Sequence, residues 1–291
     1  MTIRELPAIL QEKAKKEINE NPRRVMSDIS AIRTWLQKQS HLHSVNPSDQ
    51  WLVAFLRGSK FSLERCKEKL DMYYTLRTIV PEFLSNRDPL NPRIQGILKL
   101  GVFLPLQKCS EIDSPRICIV RVGTEIMMFE DDNFTVSGEE VIVDMKNVGV
   151  NVLSQWTPAL AKKVITCFEK ALPVRLKSNH ILNTPIGFDT AYSIFKAFLG
   201  EKLKKRIKVH NQNYAALYKE IPKRVLPKEY DGEDGGLQEL TDYWQAKVES
   251  YRNWFLQEET VKSDESKRPD KPKSTSSLFG IEGSFRKLDV D

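Results

Sequence analysis

Arg175 and Lys177 stand two apart in a segment that reads as extended, so both side chains leave the same face. Lys202 and Arg206 stand four apart in a segment that reads as helical, which stacks them on one side. Two cationic pairs, each with a forked guanidinium, have the chemistry to grip a multiply charged phosphate. The plainer alternative is a solvated basic face. Both pairs fall within residues 173–210, which hold eight Lys/Arg against Asp189 and Glu201. That excess of six equals the excess of the whole chain, 45 Lys/Arg against 39 Asp/Glu, so the basicity is local. The same stretch carries Phe188, Ala191, Tyr192, Phe195, Phe198 and Leu199 at helical spacing. Such a stripe serves either as ordinary core or as the lining of a movable lid.

Other chemistry-bearing residues do not assemble into a reaction. Asp144, inside VIVDM, has no nucleophile–base pair and no glycine-rich phosphate loop beside it, so a structural hydrogen bond is expected. His180, inside the apolar HILN, reads as a satisfied core histidine. His41 and His43 sit in a loop segment without adjacent acidic or cysteine partners. Glu130-Asp131-Asp132 reads as a solvated turn. Cys66, Cys109, Cys118 and Cys167 are widely spaced and form no CxxC or zinc pattern. No catalytic residue, metal site or cofactor is expected. A pI near 9.0 permits an anionic partner, yet no basic run alternates with stacking aromatics, which argues against nucleic acid.

The elements that must position these groups change character along the chain. Residues 1–88 read as helical: Ser27-Asp28 caps one amphipathic segment and Asn46-Pro47-Ser48-Asp49 recaps another. Trp51, Leu52, Phe55 and Leu56 line one face, and Gly58 ends that helix. After Pro89 and Pro92 the pattern turns to short β-branched runs, 117–122 and 141–145, then 180–183 and 207–210. Helical segments alternate with them, one over 160–172, which implies parallel β–α–β units. Residues 89–235 are therefore read as an α/β domain with a mainly parallel sheet. A single helix is expected over 237–256 within 236–262, and residues 263–291 read as a polar, loosely held tail. No apolar run reaches membrane-spanning length and the first residues lack a signal-peptide core, which suits a cytoplasmic protein.

FLRGSKFSLERCKEKL, HILNTPIGFDTAYSIFKAFLGEKLKKRIKVH and LPKEYDGE together resemble the CRAL-TRIO family, most nearly its arthropod branch related to α-tocopherol transfer protein and cellular retinaldehyde-binding protein. The resemblance extends over most of the chain, including SLFGIEGSFRKLDVD. It implies an all-helical N-terminal domain, an α/β domain with a helical lid over an apolar pocket, and a monomeric carrier of one hydrophobic ligand between membranes. By position it places the lid over Pro185 to about Leu199 with a hinge near Gly200. It also places phosphoinositide headgroup contacts on Arg175, Lys177, Lys202 and Arg206. A further basic position of the family is Ser59 here, with Lys60 adjacent. Three expected glycines are Ser178, Asn211 and Asp231. A helix-bearing insert that usually follows the strand ending at Val122 is shortened, and Ile126, Met127, Met128 and Phe129 are candidates to fill its space. An alternative reading is a non-transferring lipid sensor or adaptor whose pocket is reduced or empty.

Overall fold

The computed structural model describes residues 3–102, 104–119 and 124–280. Its N-terminal layer is helical, as the patterning predicts: α1 (Ala8–Ile18), α2 (Val25–Gln37), α3 (Asp49–Gly58), α4 (Leu63–Ile79), α5 (Pro81–Leu84) and α6 (Pro92–Lys99). Ser48 starts α3 by accepting the Trp51 amide on its hydroxyl, which satisfies one of the orphan donors of the first turn. Every residue from Gln50 to Arg57 is buried, the state of a helix that is apolar round most of its circumference. Its one buried cation, Arg57, donates twice to the Glu20 carboxylate at 3.0 Å, since a buried charge survives only when paired. Trp51 meets Phe55 of its own helix, Tyr73, Phe129 and Trp254 at ring separations of 5.5, 5.6, 5.1 and 6.0 Å, and the last three rings come from three other helices, two of them distant in the chain.

The sheet has five strands in chain order: β1 (Leu104–Pro105), β2 (Arg116–Ile119), β3 (Glu139–Asp144), β4 (Leu176–Leu182) and β5 (Ile207–Asn211). β1 is antiparallel to β2 and the remaining pairs are parallel. Crossovers carry the helices. α7 (Thr124–Glu130) and α8 (Asp132–Ser137) join β2 to β3; α9 (Val150–Leu153) and α10 (Pro158–Thr166) join β3 to β4; α11 (Phe188–Ala197) and α12 (Glu201–Lys204) join β4 to β5. α13 (Tyr214–Tyr218), α14 (Leu237–Ser250), α15 (Arg252–Glu258) and α16 (Thr275–Phe279) complete the order. One apolar core runs from α2 and α3 through the sheet to Phe255 and Phe279.

Several expectations need correction. The helix expected over 160–172 ends as α10 at Thr166 and continues as a wider turn, Cys167–Ala171. The helix expected over 237–256 breaks at Tyr251, where ψ is 7°. The break lets Tyr251 hydrogen-bond Glu130 while Trp254 turns into the Trp51 cluster. The acidic triplet is a junction and not a solvated turn. Asp131 caps α8 and accepts from Arg116, Asp132 pairs with Arg4 at 2.8 Å, and Glu130 pairs with Lys247 at 2.7 Å. His41 does have an acidic partner, Asp71, at 2.7 Å, thirty residues on and invisible to local spacing. Over its described part, to Gly280, the tail is docked. Ser263 and Asp264 donate main-chain bonds to Tyr74 and His41, Arg268 and Lys273 pair with Asp71, and Phe279 is buried.

Two replaced glycines keep glycine-like backbone: Asn211 and Asp231 have φ of 54° and 53°, a conformation their short polar side chains tolerate. Ser178 lies within β4 and needs no such freedom. Val120–Val122 and the site of the shortened insert lie outside the described residues. Beyond them, Ile126, Met127 and Met128 are buried on α7 and Phe129 stacks into the aromatic cluster.

Candidate functional site: a basic cleft beside a candidate lid helix

The segment leading into β4 carries Arg175, and Lys177 is the second residue of the strand. Lys202 sits on α12, and Arg206 immediately precedes β5. Parallel pairing sets Asn179 opposite Ile207, and the Asn179 amide donates to the Arg206 carbonyl at 2.8 Å. Arg206 in turn donates to the Leu176 carbonyl. Residues thirty positions apart thus become neighbours because β4 and β5 are adjacent. All four cations line one open cleft of about 1050 Å³. Gly138, at φ 93°, helps seat the first of them: a Cβ there would lie 2.3 Å from the Arg175 carbonyl.

The opposite wall belongs to the helical layer. Lys60, Arg65 and Lys69 from the α3–α4 turn and α4 face the cleft, with Lys273 of the docked tail beyond them. At the family's further basic position Ser59 is buried, while Lys60 and Arg65 are exposed, and all three line the same cleft. Arg65 and Lys69 lie four apart on α4, a spacing that signals a shared face. No sequence signal places that face against residues 173–206. Glu17 of α1 forms an ion pair with one of the predicted cations, 3.0 Å from Lys177.

This cluster is under electrostatic tension. Arg206 is the main cause that lowers the Lys202 pKa, followed by burial and by Lys60, Arg65 and Arg175. Burial lowers the Arg175 pKa, Arg206 adds to the effect and Glu17 opposes it. The Nε and Nη2 atoms of Arg175 are buried without a hydrogen-bond partner. Like charges that depress one another's protonation, beside an unsatisfied guanidinium, favour entry of an anion. Burial also pushes Lys69 down to about 8, although it donates to the Glu169 and Leu172 carbonyls at 2.7 and 2.8 Å.

The lid candidates occupy the β4–β5 crossover, ending at Gly200, which itself lines the cleft. Phe188 and Leu199 are buried, Ala191, Tyr192 and Phe195 are half-buried, and Phe198 is exposed. Phe188 stacks on Tyr192 at 5.3 Å, and Phe195 meets Trp156 edge-on at 5.9 Å. Trp156 lies in the connection between α9 and α10, where the sequence has no periodicity to mark it. Ile186, in the turn before α11, and Val150 and Val152, on α9, are exposed.

The remaining candidates are structural. Asp144 accepts from Asn183 at 2.8 Å and from the Tyr230 hydroxyl at 3.0 Å. His180 is buried between Ser178 and His210. Among the described residues no cluster could hold a metal ion, and no helix is long and apolar enough to cross a membrane.

A family profile described as CRAL/TRIO domain matches residues 107–232, and one described as Pinta-like, UBA domain matches residues 21–94. The chain is 29% identical to alpha-tocopherol transfer protein-like of Mus musculus over 266 residues, spanning 86% of this chain and 76% of that protein. It is 26% identical to clavesin-2 of Rattus norvegicus over 238 residues, 76% of this chain and 73% of that one. The crystal structure of Sfh5 superposes with a TM-score of 0.46 at 15% identity, covering 84% of this chain and 98% of the other. Residues 107–232 are a CRAL/TRIO domain, and the chain that carries it is homologous to alpha-tocopherol transfer protein-like and to clavesin.

Proposed function

We propose that this protein is an intracellular, monomeric carrier that holds one hydrophobic lipid or isoprenoid-type ligand and passes it between membranes, docking transiently on phosphoinositide-containing surfaces. The observation that carries this reading is the meeting of Arg175, Lys177, Lys202 and Arg206 in one cleft bounded by Gly200, the C-terminal end of the lid segment. Moving an alkyl chain into water costs about 0.8 kcal/mol per CH₂, so unaided desorption of a long-chain lipid is rare. Passage from bilayer to protein without crossing water avoids most of that cost. Each exposed cation adds about 1 kcal/mol of attraction to an anionic leaflet. Headgroup binding at the foot of the lid favours opening, provided that the open lid binds it better. No catalytic step enters this scheme.

The test is to change Arg175, Lys177, Lys202 and Arg206 together to Ala. Binding to phosphoinositide-containing liposomes should fall by two orders of magnitude or more, roughly 1 kcal/mol per charge, with little change in melting temperature. Raised salt should weaken the wild type likewise, because exposed charges are screened over about 10 Å at 0.1 M. Equal liposome binding by the quadruple variant rejects the docking role. A second reading, a sensor or adaptor with a reduced pocket, draws support from α7, whose Ile126, Met127 and Met128 are committed to core packing. Native mass spectrometry distinguishes the two, since only the carrier should retain a co-purified lipid.

A further inference from the structure

We infer that Glu17 sets which anionic surfaces the cleft accepts, by acting as an internal anion that a doubly charged phosphate displaces and a singly charged headgroup does not. This inference rests on the reading of the cleft as a headgroup site. Of the four predicted cations, Lys177 is the one with an ion pair among the described residues, and its partner is Glu17 at 3.0 Å. Glu17 comes from α1, 160 positions away in the chain. Burial alone would raise its pKa, but the hydrogen bond from Lys177 and the charges of Lys177, Lys13 and Arg175 hold it below the ordinary range. It is therefore a carboxylate at neutral pH.

The same carboxylate has a second partner. Lys13 lies 3.7 Å from its other oxygen and is itself anchored by the Asp113 carbonyl at 2.7 Å. Losing Lys177 therefore leaves Glu17 paired with Lys13, so release is cheap without being free. A lipid with one net negative charge exchanges one unit of charge at Lys177 for another and gains little. A phosphomonoester carries about −1.5 to −2 at pH 7 and three strong acceptor oxygens. It gains the difference, and can also reach the unpartnered nitrogens of Arg175. Glu17 thus suppresses attachment to surfaces bearing only single charges and spares those bearing phosphomonoesters.

The test compares wild type, Glu17→Gln, Glu17→Asp and Glu12→Gln on two phosphatidylcholine vesicle preparations of equal surface charge. One contains phosphatidylserine and the other phosphatidylinositol bisphosphate. Glu12 is exposed on α1, so its substitution makes the same change in net charge outside the cleft. Glu17→Gln is expected to raise phosphatidylserine binding by about fivefold, the upper range for a part-exposed ion pair. Bisphosphate binding should change by less than about twofold, and Glu17→Asp and Glu12→Gln should keep the wild-type ranking. A wild type that prefers bisphosphate while Glu17→Gln leaves the ratio unchanged, or matches Glu12→Gln, overturns the role of Glu17 alone. A wild type without preference, together with an unaffected quadruple variant, overturns the headgroup reading and this inference with it.

Discussion

His180 and His210 meet edge to edge across β4 and β5, their rings nearly parallel at 7° with centroids 5.2 Å apart and Nδ1 of His180 2.9 Å from Nε2 of His210. Ser178 takes the remaining His180 nitrogen at 2.8 Å. Burial, then His210 and Lys208, push His180 down to about 4, with Glu220 opposing. The unfolded chain therefore binds a proton that the folded chain refuses. Stability from this residue is complete above the ordinary histidine pKa of about 6.5 and declines as pH falls toward 4. Between pH 7 and pH 5 the loss should be about 2 kcal/mol by chemical denaturation, and His180→Gln should remove most of it. A pH slope unchanged in that variant would assign the effect elsewhere. The apolar context of HILN was enough to read His180 as a core residue. Its partner His210 needed the strand pairing, just as His41 needed α4 to bring Asp71 within reach.

At the scale of elements, the lid stripe is legible as a pattern but not as a state. The spacing places Phe188, Tyr192, Phe195, Phe198 and Leu199 together; the structure sorts them into buried Phe188 and Leu199, 8% and 7% exposed, half-buried Tyr192 and Phe195, and exposed Phe198 at 36%. Phe195 packs on Trp156 and α11 meets α10, and neither neighbour is encoded in the helix itself. These differences in burial predict different outcomes within one segment. Phe198→Asp should leave melting temperature and ligand retention nearly unchanged, while vesicle-to-vesicle lipid transfer falls at least about tenfold, since a charge entering apolar surroundings costs several kcal/mol. Phe188→Ala should instead cost about 3 kcal/mol of stability. Parallel loss of retention and transfer in Phe198→Asp would make Phe198 static core. The break at Tyr251 teaches the same lesson: Leu237 to Leu256 has continuous helical periodicity, but Glu130 and the Trp51 cluster pull its two halves to different partners.

At the scale of the whole molecule, the cleft exists because the helical layer and the sheet meet closely. Gly58 shows how closely: a Cβ there would lie 2.0 Å from the Pro173 carbonyl oxygen and 2.5 Å from its Cβ. The position reads from sequence as the end of a helix, yet what demands glycine is the approach of the segment that carries Arg175. Gly58→Ala should cost about 2 kcal/mol or more, because backbone must move, and it should weaken phosphoinositide vesicle binding. Gly96→Ala, where nothing lies within 4 Å, should be neutral or slightly stabilising. If both behave alike in denaturation and vesicle binding, the junction is not tight.

What the chain determined by itself was whatever depends on neighbours within a turn or two. The helical layer, the β-branched strands, the local basicity of residues 173–210 and the lid stripe all follow from periodicity and charge over short spans. The left-handed Asn211 and Asp231 follow from local backbone preference. Only the tertiary structure decided that Lys60 and Arg65 face Lys202, that Glu17 reaches Lys177, and that the tail docks through Arg268 and Lys273 onto Asp71. The reason is physical. These are contacts between charges far apart in sequence, each weak alone, and their geometry is set by burial of the apolar core that brings the elements together.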